Sequence, residues 1–303
     1  MNAPVLELAG LAHSYSGTPA LAGLSLALEA GGTLGLIGPD AAGKTTAMRI
    51  ACGLLRPDAG QARVLGHDCV TQAAAIRPLI GYMPQRFSLY PDLSVDENLR
   101  FFAELHGIPA AARRARRERL LAFSRLEPFT RRRAGALSGG MKQKLALACT
   151  LIHEPRLLIL DEPTTGVDPV SRQEFWELLA GLARGGLALW VSTPYMDEAE
   201  RCGRVQLLHH GRVIAEGAPA AIASACPKRL LNLPGGAALR LERRFAELPG
   251  VDARRYGNDL RLVCDTETRE YELRRLAQAE GLAAECCPPT LEDAFFALVE
   301  RDG

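Results

Sequence analysis

At 303 residues, with a net charge of +1 and 48% hydrophobic content, the chain has room for one large domain plus a small one and the composition of an ordinary globular protein. Near-neutral charge gives no global pointer to nucleic acid, and no apolar run approaches the ~20 residues a membrane helix needs. The start "MNAPVLELAG" lacks the basic and apolar regions of an export signal. The eight cysteines form no C-x-x-C pair, so neither a zinc site nor a disulfide framework is suggested; they read as reduced buried thiols of a cytosolic protein.

Strand-like runs at "VLELAG" and "LSLALEAGGTLGLIG" lead into a glycine-punctuated turn and then "KTTAMRIACGLL". The apolar spacing of Met48, Ile50, Ala51 and Leu54 there is helical. From about Phe87 to Arg133 the chain reads as mostly helical and rich in arginine. Alternation resumes afterwards: "MKQKLALACTLIHEP" as helix, "RLLILDEP" as buried strand, "DPVSRQEFWELLAGLA" as helix, "LALWVST" as strand, "MDEAERC" as a helix start. Continuous apolar strands alternating with helices argue for a parallel sheet covered on both faces. "VQLLHHGRVIAEG" reads as a hairpin turning at His210-Gly211. Beyond Pro219 the order changes to β-α-β-β-α-β. One helix is expected around Leu239 to Leu248, a second around Glu270 to Ala279, and a Gly257-Asn258 turn between the middle strands. That order is the ferredoxin-like pattern, and a helix at "TLEDAFFALVE" follows it.

Three motifs carry chemistry. "GPDAAGKTT", Gly38 to Thr46, follows a strand and opens a helix, the context of the P-loop pattern G-x-x-x-x-G-K-[ST]. Backbone N–H groups of Gly38, Pro39's successors Asp40, Ala41 and Ala42, then Gly43 to Thr46, are placed to surround phosphates at a helix N-terminus. Lys44 is expected to neutralise β/γ oxygens and the Thr45 hydroxyl to ligate Mg²⁺. "LLILDEP" puts Asp161 at the carboxyl end of a central strand, as a Mg²⁺ partner, with Glu162 next to it to orient or deprotonate an attacking water. "LSGGMKQK" offers Ser138, Gly139 and Gly140 as a second ready anion site at a helix N-terminus.

In that order the motifs resemble the ATP-binding subunit of an ABC transporter, over residues 5 to about 220. The resemblance implies an α/β fold: a P-loop NTPase core of ABC ATPase type with a helical subdomain at about 87–150. Domains are expected at 1–222 (nucleotide-binding) and 223–303 (a small C-terminal α+β, ferredoxin-like accessory lobe). It implies ATP and Mg²⁺ as ligands. Tyr15 of "HSYSG" becomes the adenine platform, with a half-buried strand-turn aromatic as the alternative. Gln85 of "GYMPQ" becomes the lid-loop glutamine near Mg²⁺, catalytic together with Lys44 and Glu162. Ser138 to Gly140 would bind the γ-phosphate of the nucleotide held by a facing subunit. Asp168 of "GVDP" would signal across that dimer, and is also suited to cap the following helix. "MKQK", "DEPTTGVDP" and "PPTLEDAFF" look most like bacterial drug or ABC-2 type exporters. The implied partners are a second ABC ATPase domain and separate transmembrane permease subunits. The implied location is the cytoplasmic side of the plasma membrane, peripheral through the permease, with no nucleic acid partner and no membrane span of the chain's own.

Three positions depart from the family text. Asp40 stands where asparagine or serine is common, and Ala41 where glycine is frequent, the latter harmless only at φ < 0. Pro194 falls where the family has a histidine that touches the γ-phosphate. Thr193 and Pro194 are expected to form the N-cap and first position of the next helix, and hydrolysis is expected to be reduced, favouring a heteromeric pair. The arginine-rich helix reads as a solvated face, or one attracted to anionic headgroups. The paired His209-His210 reads as structural. Two other readings stand beside the exporter subunit: a hydrolysis-poor regulatory partner in a heteromeric complex, and a soluble ABC ATPase outside transport. A chromosome or repair ATPase is disfavoured because the short stretch between Lys44 and Asp161 holds no sustained heptads.

Overall fold

The structure is a computed structural model that describes residues 3–86 and 89–302. The chain divides into two compact units, Met1–Glu216 and Gly217–Gly303.

In chain order the first unit contains β1 (Leu6–Tyr15), β2 (Thr18–Leu28), β3 (Thr33–Ile37), α1 (Lys44–Ala51), β4 (Ala59–Val64), β5 (His67–Asp68), α2 (Ala73–Ile76), β6 (Ile80–Met83) and α3 (Val95–Leu105). It continues with α4 (Ala110–Ser124), α5 (Gly139–Leu151), β7 (Leu157–Asp161), α6 (Pro169–Arg184), β8 (Ala188–Thr193), α7 (Met196–Ala199), β9 (Arg204–His209) and β10 (Arg212–Gly217). Six strands form one sheet in the order β10-β9-β3-β8-β7-β6, and β2-β1-β4-β5 form a second. The pairs β3–β8, β3–β9, β7–β8 and β6–β7 are parallel. Every residue of β7 and β8 is buried, because helices cover both faces and the sequence supplies an unbroken apolar run. The second sheet is antiparallel where β1 pairs β2 and β4. Its strand β1 alternates buried and exposed positions until an irregularity around Gly10. Leucines of this sheet share one core with Leu34, Leu36, Met48, Ile50 and Trp190, so α1 is wedged between the two sheets at the P-loop.

The helical stretch begins, among described residues, at α3; the expected start at Phe87 lies outside them. Ser94 and Glu97 close a capping box at the start of α3, which satisfies two donors that a helix start otherwise leaves open. The arginine face of α4 is less free than its sequence suggests. Arg113 pairs with Glu104, Arg114 with Glu118, Arg117 with Asp96, and both Arg116 and Arg119 with Glu154. All but Glu118 come from other elements, so the compensating acids are invisible in the helix's own sequence.

The β9–β10 hairpin turns at His210 and Gly211, with φ of 46° and 76°, the backbone of a two-residue primed turn. The second unit contains α8 (Pro219–Ser224), β11 (Arg229–Leu233), α9 (Gly236–Leu239), α10 (Glu242–Ala246), β12 (Val251–Tyr256), β13 (Asp259–Cys264), α11 (Glu267–Ala279), β14 (Glu285–Cys286) and α12 (Leu291–Asp302). Its sheet runs β12-β13-β11-β14, with the pairs β11–β13, β11–β14 and β12–β13 antiparallel. That is the ferredoxin-like arrangement, built on a core that includes Leu231, Phe245, Leu262 and Leu273. The helix expected around Leu239 to Leu248 is instead two short ones, α9 and α10, separated at Arg240 and Leu241.

Candidate nucleotide site

The carboxyl ends of β3, β7 and β8 converge on the loop that joins β3 to α1. Gly43, at φ 107°, precedes α1, and a Cβ there would stand 2.2 Å from the Ala20 carbonyl oxygen. Only glycine fits this turn, both for its φ and for the close strand behind it. Ala41, by contrast, has φ 62°. The condition under which alanine would be harmless is not met, and the residue sits in the left-handed region at a cost of roughly 1–2 kcal/mol. The β9–β10 turn, distant in sequence, backs the loop: Gly211 N–H donates to Ala42 O at 3.0 Å.

Lys44 is 3% exposed. Its Nζ donates to the carbonyls of Gly38 and Pro39, each at 2.8 Å, and lies 3.0 Å from Glu162 Oε1. Gln85 Nε2 donates to Glu162 Oε2 at 2.9 Å, and the Thr165 hydroxyl reaches the same oxygen at 3.3 Å. Glu162 itself is held at φ 48°, a sparsely populated conformation for a non-glycine residue of the kind that clusters at functional sites. Its N–H donates to Ser192 Oγ at 3.0 Å and Ser192 O at 3.1 Å. Ser192 Oγ in turn donates to Asp161 Oδ1 at 2.7 Å. Asp161 is fully buried. Burial pushes its carboxyl above the ordinary range, opposed by the hydroxyls of Ser192 and Thr45.

Tyr15, Asp40 to Thr46, Gln85 and Glu162, with Thr18, Pro19 and Ala20, line one cleft of about 510 Å³. That volume lies within the usual range for small-molecule sites. Tyr15 is 46% exposed and forms a T-shaped pair with His13, with ring centroids 4.7 Å apart, so a substantial part of it is accessible at the cleft. The residues fit MgATP. The Lys44 ammonium, held by its own loop carbonyls and by Glu162, stands at the N-terminus of α1 where anions bind. Asp161 Oδ2 is buried with no hydrogen-bond partner among the described residues, and the Thr45 hydroxyl lies at the same carboxylate, which matches the oxygen donors that Mg²⁺ takes.

Ser138 to Gly140 and Asp168 are not among the residues lining this cleft. They form a second locus. The Ser138 hydroxyl caps α5 by accepting from Met141 N–H at 3.3 Å, and Asp168 caps α6 by accepting from Ser171 N–H at 2.9 Å. A Cβ on Gly140 would fall 2.3 Å from the Ser171 side chain, so the start of α5 is pressed against the start of α6.

Pro194 does not start a helix. Thr193 is the last residue of β8, Tyr195 is the N-cap of α7, and Pro194 lies between them. The N-cap role expected of Thr193 is replaced by two other bonds: its hydroxyl accepts from Tyr195 N–H at 3.1 Å and donates to Glu198 at 2.6 Å. Sequence reasoning missed Ser192, Thr165 and Glu198: Ser192 and Glu198 bond residues brought close only by the fold, and the contact of Thr165 with Glu162 carries no motif of its own.

Residues 21–165 match the ABC transporter family. The chain is 43% identical, over its whole length, to the probable multidrug ABC transporter ATP-binding protein YbhF of Escherichia coli (strain K12), and spans about half of that relative (53%). It is 37% identical to the Nod factor export ATP-binding protein I of Burkholderia orbicola (strain AU 1054), covering 100% of this chain and 99% of the relative. Among solved structures, an ATP-binding subunit of an ABC transporter aligns with a TM-score of 0.65 at 32% identity, over 72% of this chain and 91% of that one. The cbiO1 protein of Clostridium perfringens, part of the ABC transporter complex cbiONQ, aligns with a TM-score of 0.68 at 28% identity, over 73% and 91%. A cassette solved as a dimer in a post-hydrolysis state with ADP and Pi aligns with a TM-score of 0.64 at 26% identity, over 70% and 98%. With its P-loop, its Asp161-Glu162 strand end and full-length relatives of this identity, the chain belongs to the ABC transporter ATP-binding family.

Proposed function

We propose that this chain is the MgATP-binding and ATP-hydrolysing subunit of an export-type, ABC-2-like transporter, working with separate permease subunits. The observation that carries the reading is the convergence of Lys44, Gln85 and Glu162 in one cleft. Mg²⁺, when bound, neutralises charge on the phosphates; Thr45, Asp161 and Gln85 are the residues to hold it. The loop N–H groups from Asp40 to Thr46 take phosphate oxygens, and Tyr15 supports the base. Lys44 exchanges the Gly38 and Pro39 carbonyls, and Glu162, for phosphate. Glu162 is thereby released to orient a water and take its proton. The export assignment draws on the names of the relatives, which refer to a multidrug ABC transporter and to Nod factor export.

Ser138 to Gly140 lie outside the chain's own cleft, which supports their serving the nucleotide of a second, head-to-tail cassette, with Asp168 at the same interface. Pro194 supports a heteromeric pair, because a partner with a histidine there would complete the faster site. It also favours a second reading, in which this chain is the hydrolysis-poor partner. Through its permease the protein would sit on the inner face of the plasma membrane. The second unit is proposed as an accessory lobe. Its removal is best made after Glu216, since a cut after Ala223 would fall inside α8. Binding of MgATP by the full chain, and co-purification of a polytopic permease from membranes, test the function; a second, different ATPase in that complex tests the pairing. Absence of nucleotide binding would end both readings.

A further inference from the structure

Glu198 is 1% exposed, on the single-turn helix α7, and none of the motifs accounts for it. Burying a carboxylate is expensive unless its oxygens are paired, and here both are. Thr164 Oγ1 donates to Oε1 at 2.6 Å and Thr193 Oγ1 donates to Oε2 at 2.6 Å. Arg172 Nε of α6 stands 3.8 Å from Oε1, while its Nη2 holds the neighbouring Asp197 at 3.0 Å. The two threonines are themselves 2% and 1% exposed.

Each hydroxyl belongs to a segment of the nucleotide site. Thr164 lies two residues past Glu162, and its carbonyl accepts from Val167 N–H at 3.1 Å, so it anchors the turn that leads from Glu162 to Asp168. Thr193 ends β8, and its carbonyl faces Gly38 N–H at 3.4 Å, at the entry to the P-loop. A single carboxylate therefore joins the segment that follows Glu162, the strand end beside the P-loop, and α6. Acid in the first turn favours the start of α7, but Asp197 already supplies an exposed one, and an apolar side chain at 198 would fill the same space without burying a charge. What the acid supplies is fixed geometry. Glu162 sits at φ 48°, and such a conformation persists only where its surroundings over-determine it.

We propose that Glu198 is a positioning residue for hydrolysis, which clamps Thr164 to Thr193 and so holds Glu162 in its left-handed turn facing the phosphate cradle. The inference rests on the reading of Glu162 as the water-activating group. Displacement of such a group by about an ångström costs on the order of 10²-fold in rate. Loss of the clamp is therefore expected to slow hydrolysis by roughly 10- to 100-fold and to leave ATP affinity nearly intact, because the loop and Lys44 are untouched.

The test uses the full chain with Glu198→Ala, Glu198→Gln and Thr164→Val, each in the wild-type and the Glu162→Gln background. Single-turnover hydrolysis of MgATP and affinity for a fluorescent ATP analogue are both measured. The expected result is a slower rate, affinity within about twofold, and no further loss in the Glu162→Gln background. An unchanged rate, an equal proportional loss in that background, or an affinity that falls as far as the rate would overturn the proposal. Thr164→Val removes one donor with little change of shape and carries the same expectation where Glu198→Ala does not fold. Amide hydrogen exchange supplies a readout independent of turnover. Residues 162–168 should exchange faster in Glu198→Ala or Thr164→Val than in wild type, with the 38–46 loop unchanged; equal protection would remove the clamp. Wild-type protein that hydrolyses nothing would count against the proposed function, and the exchange result would then decide the clamp by itself.

Discussion

Lys44 Nζ lies 3.0 Å from Glu162 Oε1, with both side chains at least nine-tenths buried. The lysine proposed to meet phosphates and the glutamate proposed to activate water neutralise one another in this structure. Gln85 is bonded to the other oxygen of Glu162, so the site pairs its charges internally, and the proposed function requires those partners to be exchanged when nucleotide binds.

Lys44→Ala should weaken MgATP binding by orders of magnitude, and equal affinity of wild type and variant in a fluorescent-nucleotide titration would remove the P-loop assignment. The same change leaves the Glu162 carboxylate buried without its ion partner, a loss of about 3–5 kcal/mol for a buried pair. The variant should therefore melt earlier, and adding Glu162→Gln should recover much of that loss.

Glu162→Gln keeps the shape of the network and removes the base. Nucleotide binding should persist while hydrolysis slows by about 10²–10⁴, the usual worth of a positioned general base. Size-exclusion chromatography with ATP should show a trapped dimer. Normal turnover by this variant would take Glu162 out of its role.

The P-loop and the Asp161-Glu162 strand end were legible because their chemistry dictates local sequence: glycines where φ is positive, an apolar strand directly before the acids. The ferredoxin-like lobe was legible from element order, since β-α-β-β-α-β with a turn at Gly257 admits few sheet arrangements. Strands β4 and β6 were not, because "AGQARV" and "IGYM" are short and are defined by their sheet partners. Thr193 illustrates the same limit. Its sequence context read as a helix cap, but the helix starts later and the hydroxyl is engaged by Glu198, a partner from the following turn. The acids that neutralise the α4 arginines also come from other elements, as does Gly211 behind the P-loop. Local pattern reports local structure, and these pairings are made only by the tertiary fold.

Ala41→Gly relieves a left-handed alanine. The strain removed, about 1–2 kcal/mol, exceeds the roughly 0.4–1 kcal/mol that the more flexible unfolded glycine chain takes back. For a unit of this size, a net gain of about 0.5 kcal/mol corresponds to a melting temperature higher by about 1–2 °C. Differential scanning calorimetry of the apo protein checks the sign, and a lower melting temperature would contradict the strain.

His153 stacks on His106 with ring centroids 3.9 Å apart, and one of its ring nitrogens lies 2.8 Å from Ile80 O. Burial pulls the His153 pKa down to about 4, aided by His106 and Arg116 and opposed by the Ile80 contact; burial lowers His106 too. A base whose folded pKa is depressed contributes stability that is complete above its unfolded pKa of about 6.5 and is lost as pH falls toward the folded value. With partial exposure screening the effect, the wild type should lose about 1 kcal/mol more than His153→Gln between pH 7 and pH 5. Urea midpoints at the two pH values measure this, and parallel losses in the two proteins would dismiss the pair as a source of acid sensitivity.

The family resemblance puts Pro194 where a histidine is expected to reach the γ-phosphate. Its neighbour Thr193 faces the P-loop entry through its carbonyl, so residue 194 stands beside the loop, but proline offers neither a side-chain donor nor an N–H. His209 and His210 do not replace it. Their turn supports the loop through the Gly211 backbone, and neither ring is among the residues lining the cleft. Loss of one preorganised donor typically costs ~10²–10³ in rate, while Lys44, Asp161 and Glu162 are all in place. The site on this chain's own P-loop should thus bind ATP and hydrolyse it slowly. Pro194→His introduces the donor without disturbing a helix, because α7 is capped at Tyr195 rather than begun by the proline. Steady-state ATPase of the assembled transporter should rise several-fold in the variant. Unchanged or lower turnover in a well-folded variant would count against the missing donor, and robust turnover by a wild-type homodimer would show that the chain does not need it.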